Sequence, residues 1–176
     1  MKLDENKFNN RIIFTLDNTV LSNFSKSNTM NILYNYVNKF NIEILITSAI
    51  QEEYKRLNRV IELKFEIIEI AKNEISALKR AIIANEGNCK LGKGELSCIL
   101  LSLNSDIDII FTDDKAACKY IKQNLNIKIS GTLGLLKMMY DDGYLSKEKI
   151  VSISEKMKNE GYWISDKLYS DFIENL

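Results

Sequence analysis

Short runs of β-branched and aromatic residues alternate with helical patterns along this chain, and that alternation restricts its fold more than any other feature. Ile12–Leu16 (IIFTL), Ile42–Thr47 (IEILIT), Ile107–Thr112 (IDIIFT) and Ile127–Ser130 (IKIS) read as strands. Between the first two, Ile32, Leu33, Tyr36, Val37 and Phe40 recur at helical spacing, which predicts a helix from Met30 to Phe40. Further helices are predicted over Glu95–Leu103, Lys115–Asn124 and Leu133–Tyr140, the last opened by Gly131-Thr132 and stopped by Gly143. The tail reads as two more, Ser146–Met157 and Ser165–Ile173, separated by Gly161-Tyr162-Trp163. Strands alternating with helices over short connections predict an α/β fold, a parallel sheet of about four to five strands covered by helices on both faces. The length of 176 residues suits one domain, 1–176, with 146–176 as its helical C-terminal tail.

One stretch departs from that rhythm. Ser48 and Gln51 match a capping box, and helical periodicity then continues from Ile50 to about Asn85. A break near Lys72-Asn73-Glu74 would divide it into a helical hairpin inserted at 55–86. Its apolar positions Leu57, Val60, Ile61, Phe65, Ile68, Ala71, Ile75, Leu78 and Ile82 form one stripe. Such a stripe either docks on its own domain or pairs with a second chain, and the pattern leaves both open.

Composition removes whole classes of chemistry. Lys and Arg number 24 and Asp and Glu 24, so net charge is zero and a whole-surface polyanion binder is excluded, though a local basic patch is not. There is no His, which eliminates imidazole bases, Ser-His-Asp and Cys-His pairs, and His-based zinc sites. Cys89, Cys98 and Cys118 form no C-x-x-C and read as reduced thiols, most simply core filler. The N-terminus carries no signal-like apolar core and no long apolar run occurs, so the expectation is a soluble cytoplasmic protein without a membrane partner.

Acid remains, and it is placed systematically. Ligands of open α/β sheets bind beyond the carboxyl ends of the strands. There this chain has Asp17 after the first strand, Glu52 and Glu53 one turn into the helix after the second, and Asp113-Asp114 after the third. Glu95 joins them if the helix opened by G-K-G-E starts on the same edge. Taken singly, each is more usually a helix cap or a first-turn acid. Gathered on one rim they repel one another by several kcal/mol, on the order of the Coulomb energy at about 4 Å and intermediate dielectric. Oxygen-only donors select a hard dication, Mg²⁺ or Mn²⁺, which can activate water and neutralise charge on a phosphodiester. Two other acid-rich folds fail on spacing. A haloacid-dehalogenase-type phosphatase needs Asp where Thr19 stands, and a receiver domain carries its acidic pair after the first strand, not the third.

The blocks LDNTVLSNF, ITSAIQEEY, LGKGELSCILLSL, FTDDKAACKYI, ISGTLGLLKMMYDDGYL and GYWISDKLY, in that order, resemble the PIN-domain family. The last two resemble its stand-alone prokaryotic branch, often paired with small antitoxins. The resemblance spans Ile12 to Tyr169. It implies a divalent-metal-dependent ribonuclease with Asp17, Glu53, Glu95 and Asp114 as its acids, an RNA substrate, and the toxin of a toxin-antitoxin pair with an antitoxin partner. Glu53 is preferred to Glu52 because the family's acid precedes a large apolar residue, here Tyr54. Asp114 is preferred to Asp113 because it directly precedes the next helix, and Asp113 is a further candidate ligand. Thr19 and Thr112 match the family's small polar residues beside the first and last acids, and Lys90, Lys93 and Lys115 are candidate phosphate contacts. Family habit and the apolar stripe point to a homodimer. The rival reading is a PIN-like module that binds RNA or protein without turnover.

Overall fold

The computed structural model describes residues 11–56 and 64–176. In chain order these form β1 (Ile12–Leu16), α1 (Asn18–Lys26), α2 (Met30–Lys39), β2 (Ile42–Thr47), α3 (Ser48–Arg56) and β3 (Glu66–Ile68). Then follow α4 (Lys72–Glu86), α5 (Lys93–Asn104), β4 (Ile109–Phe111), α6 (Lys115–Asn124) and β5 (Lys128–Ser130). The tail is helical: α7 (Thr132–Asp141), α8 (Lys147–Asn159) and α9 (Asp166–Glu174). The strands make one parallel sheet in the order β3-β2-β1-β4-β5, with Phe14 opposite Ile44 on one side and Ile109 on the other.

Strand alternation assigns the two faces. Phe14, Leu16, Ile44, Ile46, Ile109 and Phe111 share one core with Val20 of α1, Leu33 and Tyr36 of α2, Leu135 of α7 and Ile150 of α8. Leu45 and Ile110 point the other way, into a core with Ile75 and Ile82 of α4, Leu96 and Ile99 of α5, and Ile121 of α6. With both faces covered, the strands must be apolar on both sides, as their near-continuous Ile and Leu content provides.

The expectation for 55–86 is corrected. Glu66–Ile68 is not helical but a fifth strand, paired in parallel with β2 through Leu45–Glu66 and Thr47–Ile68. Among its described residues, Lys55 and Arg56 end α3, and the second half forms the helix α4, which starts at the expected break, where the Glu74 carboxylate accepts the Ala71 amide at 3.2 Å. Ile75 and Ile82 are buried, with Leu78 packed beside them, so this part of the stripe docks on its own sheet. Leu57, Val60 and Ile61 lie outside the described residues. The cap of α3 moves back one residue: Thr47 Oγ1, not Ser48, takes the Ile50 amide at 3.3 Å. None of the described helices is long and apolar enough to cross a membrane.

In this order the chain winds outward from β1 to β3 and then crosses back to β4, so β1 and β4 flank the point where winding direction reverses. Such a switch point opens a crevice at the carboxyl edge of a parallel sheet. Asp17 directly follows one of these strands, and Thr112, Asp113 and Asp114 follow the other.

Candidate active site

Asp17 stands at the centre of that crevice. It caps α1, with Oδ1 accepting the Asn18 amide at 2.8 Å, and only 2% of it is exposed. Its Oδ2 accepts the hydroxyls of Thr19 at 2.8 Å and Thr112 at 3.0 Å. Those hydroxyls in turn accept backbone amides, Thr19 from Asp113 at 3.3 Å and Thr112 from Asp114 at 3.1 Å. The two threonines thus lock the end of β4 to the Asp17 carboxylate. Burial raises the Asp17 pKa, and these hydrogen bonds only partly offset it.

Asp114 caps α6, its Oδ1 accepting the Ala117 amide at 2.7 Å. Glu53, on the second turn of α3, accepts the Gly94 amide at 3.1 Å, while Glu95 lies in the first turn of α5. Both glutamates have raised pKa values, burial being the largest cause. After burial, Glu53 feels the negative charge of Asp17, and Glu95 that of Asp17, Asp114 and Glu53. Through these two glutamates, acids from four separate elements are linked on one rim. None of the ion pairs among the described residues engages any of them.

Glycines make the room. A Cβ on Gly92 would lie 2.6 Å from Glu95 Oε2, and one on Gly94 would lie 2.7 Å from Glu53 Oε2 and 2.8 Å from Ile50 Cδ1. The G-K-G-E segment thus brings α5 against α3 with both carboxylates resting on bare backbone.

The remaining candidates separate. Glu52 is exposed and ion-paired with Lys93 at 2.9 Å and Arg56 at 3.9 Å, and Lys93 holds its pKa down. Lys93 is therefore engaged at the surface with Glu52. Lys90 lines a cleft beside the rim, and Lys115 both lines it and lies over the Trp163 ring, 4.9 Å from its centroid. Asp113 has other work. Its Oδ1 accepts the Thr132 amide at 2.9 Å and the Tyr162 hydroxyl at 3.3 Å, and its Oδ2 accepts Thr132 Oγ1 at 2.5 Å and Asn23 Nδ2 at 3.0 Å. Those bonds use all of the roughly four acceptor sites of a carboxylate, leaving Asp113 little capacity for a cation. It ties β4 to the starts of α7 and of the tail.

Asn23, Thr132 and Tyr162 are the polar partners that sequence reasoning missed. Asn23 sits on α1 where Asn is common throughout the chain, and nothing local distinguishes it from its neighbours.

The donor chemistry at the rim, oxygen alone, with none of the four acids in an ion pair among the described residues, fits a hard dication. As the side chains stand, no three Asp, Glu or Cys groups among the described residues are gathered closely enough to hold one. Glu53 rests on the Gly94 amide and Glu95 receives its own, so both have backbone partners in this state.

Among curated proteins, none matches this chain. A family model described as a PIN domain, a nuclease-type fold, matches residues 13–176. That span takes in all of the sheet but its first residue, the acidic rim and the helical tail, and by it the chain belongs to the PIN-domain family.

Proposed function

We propose that the protein is a divalent-metal-dependent endoribonuclease whose site is made by Asp17, Glu53, Glu95 and Asp114. The observation that carries this reading is the convergence of four carboxylates from separate elements on one rim, with Asp17, Glu53 and Glu95 raised chiefly by burial, the two glutamates also by the charge of neighbouring acids, and none of the four ion-paired among the described residues. Mg²⁺ or Mn²⁺ held there would supply a nucleophile at neutral pH and offset charge on the scissile phosphate. Asp17 is fixed on both sides by Thr19 and Thr112, so its carboxylate is preorganised; Asp114 is anchored by the start of α6. Glu53 and Glu95, longer and half-buried, complete the set and orient water. Asp113, Asn23, Thr132 and Tyr162 hold the loop that presents Asp114.

A second reading is favoured by one observation: among the described residues, no three acids stand close enough to hold a metal. On that reading the domain binds RNA or a protein without turnover. Cleavage of single-stranded RNA with Mn²⁺ separates the two. Loss of activity in Asp17→Asn supports the nuclease; equal activity, or none in either protein, supports the binding module. A toxin role is a finer proposal, tested by growth arrest on expression and relief by the product of a neighbouring small gene.

A further inference from the structure

The sole Trp of the chain, Trp163, is 73% exposed, the most exposed of the large apolar residues described. An exposed indole costs hydration free energy and is informative only where the fold holds it in place. Here it is held on both sides. Tyr162 before it is half-buried and donates to Asp113 at 3.3 Å, and Ile164 after it is in the core. The backbone at Trp163 is therefore anchored beside Asp113, at the acidic rim.

Lys115 links it to the rest. The residue follows Asp114 directly, lies over Trp163, and lines a cleft of about 520 Å³ between α4 and α6. Lys90 and Lys119 line the same cleft with Tyr120 and Gln123, while Glu86 is its one acid among the described residues. Its wall reaches Leu91, next to Gly92, on which Glu95 rests. Three lysines against one glutamate make this the kind of local basic patch that the neutral overall charge leaves room for.

We infer that Trp163, Lys115 and the cleft of Lys90 and Lys119 form a track for an unpaired RNA strand, a base stacking on the indole while phosphates meet the lysines. A paired base presents only its edge, so the track discriminates single strands from duplex. Lysine is depleted from protein–protein interfaces, which favours nucleic acid over a protein partner on this face. The inference rests on the nuclease reading for which strand is cut, but not for binding.

Binding is measured without divalent metal, using a labelled oligoadenylate of about eight nucleotides, within the range of single-strand sites. Trp163, as the only indole, reports directly. The single strand should quench its fluorescence and the matching duplex should not. By anisotropy, Trp163→Ala should bind about tenfold more weakly, with Trp163→Phe recovering much of the loss. Leu168→Ala, at another exposed apolar residue of the tail, should bind as wild type. Equal binding by Trp163→Ala and wild type overturns the track, whatever the cleavage assay gives. A Trp163→Ala change that alters sedimentation but not oligonucleotide binding also overturns it and makes the face a protein interface. Single-strand binding that depends on Trp163, in a protein that cleaves nothing with Mn²⁺, keeps the track and overturns the nuclease.

Discussion

Glu53 and Gly94 meet across the α3–α5 contact: the glutamate accepts the glycine amide at 3.1 Å and covers the position where a side chain would begin. A hydrogen bond and a missing methyl group thus set how near α5, and with it Glu95, comes to the rim. Gly94 has an ordinary helical setting, so its requirement comes from close approach and not from backbone strain.

Replacing Gly94 should therefore be felt twice. In Gly94→Ala the new methyl meets Glu53 Oε2 at 2.7 Å and Ile50 Cδ1 at 2.8 Å. Overpacking of this kind costs about 1–3 kcal/mol, less the gain in helix propensity of roughly 1 kcal/mol. The expected outcome is a small loss in urea melts with a large loss of metal-dependent activity. Unchanged activity would show that Glu53 need not sit there.

Asp113 and Asp114 are adjacent but should behave oppositely. Asp113→Ala strips partners from the Thr132 amide and hydroxyl, Asn23 and Tyr162. A buried group left without its partner costs about 1–3 kcal/mol, so this variant should melt several degrees lower while keeping a thermal response to Mn²⁺. Asp114→Asn retains an oxygen for the Ala117 amide, should melt close to wild type without metal, and should lose that response. Calorimetry with and without Mn²⁺ checks both, and the reverse pattern would exchange their roles.

These contrasts also mark what a linear reading reaches. β1 and β2 are visible because their β-branched runs end on polar residues that begin the next helix, and α6 is bounded by Asp114 and the return of apolar residues at Leu125. The acids are visible because charge at strand ends is a local pattern. β3 is not, since Phe65 and Ile68 fit helical spacing as well as a short edge strand, and only pairing with β2 decides. The Asn23–Asp113 bond joins residues 90 apart in sequence, so no window of sequence contains it. Trp163 gives no sign in sequence of being exposed, because its exposure depends on how Tyr162 and Ile164 are anchored.

The metal-free protein should become less stable as pH rises. Burial raises the Asp17 pKa above its ordinary 3.8, so between that value and the raised one the folded state binds more protons than the unfolded. The stabilising contribution is complete below the ordinary value and is lost as pH climbs through the raised one, at up to about 1.4 kcal/mol per pH unit for one proton. Glu53 and Glu95, also raised, add in the same direction. Asp17→Asn removes the largest buried charge, so in chelator its stability relative to wild type should improve from pH 4 to pH 7. An advantage that shrinks over that range would mean that Asp17 is not penalised by its burial.

Added dication should reverse that deficit. A metal that binds only the folded state stabilises by about 2.7 kcal/mol at a hundredfold excess over Kd, which for a domain of this size raises Tm by roughly 5–10 °C. The rise should grow with pH as Asp17, Glu53 and Glu95 lose their protons, and should fade in acid as they are protonated at their raised pKa values. Asp17→Asn and Glu95→Gln should each remove most of it. Glu52→Gln should keep it whole, since Glu52 faces Lys93 and Arg56 at the surface. Thermal melts in Mn²⁺ across pH test all three together. A rise of equal size in every variant would place the ion elsewhere on the protein and leave the four acids as helix caps that happen to share an edge.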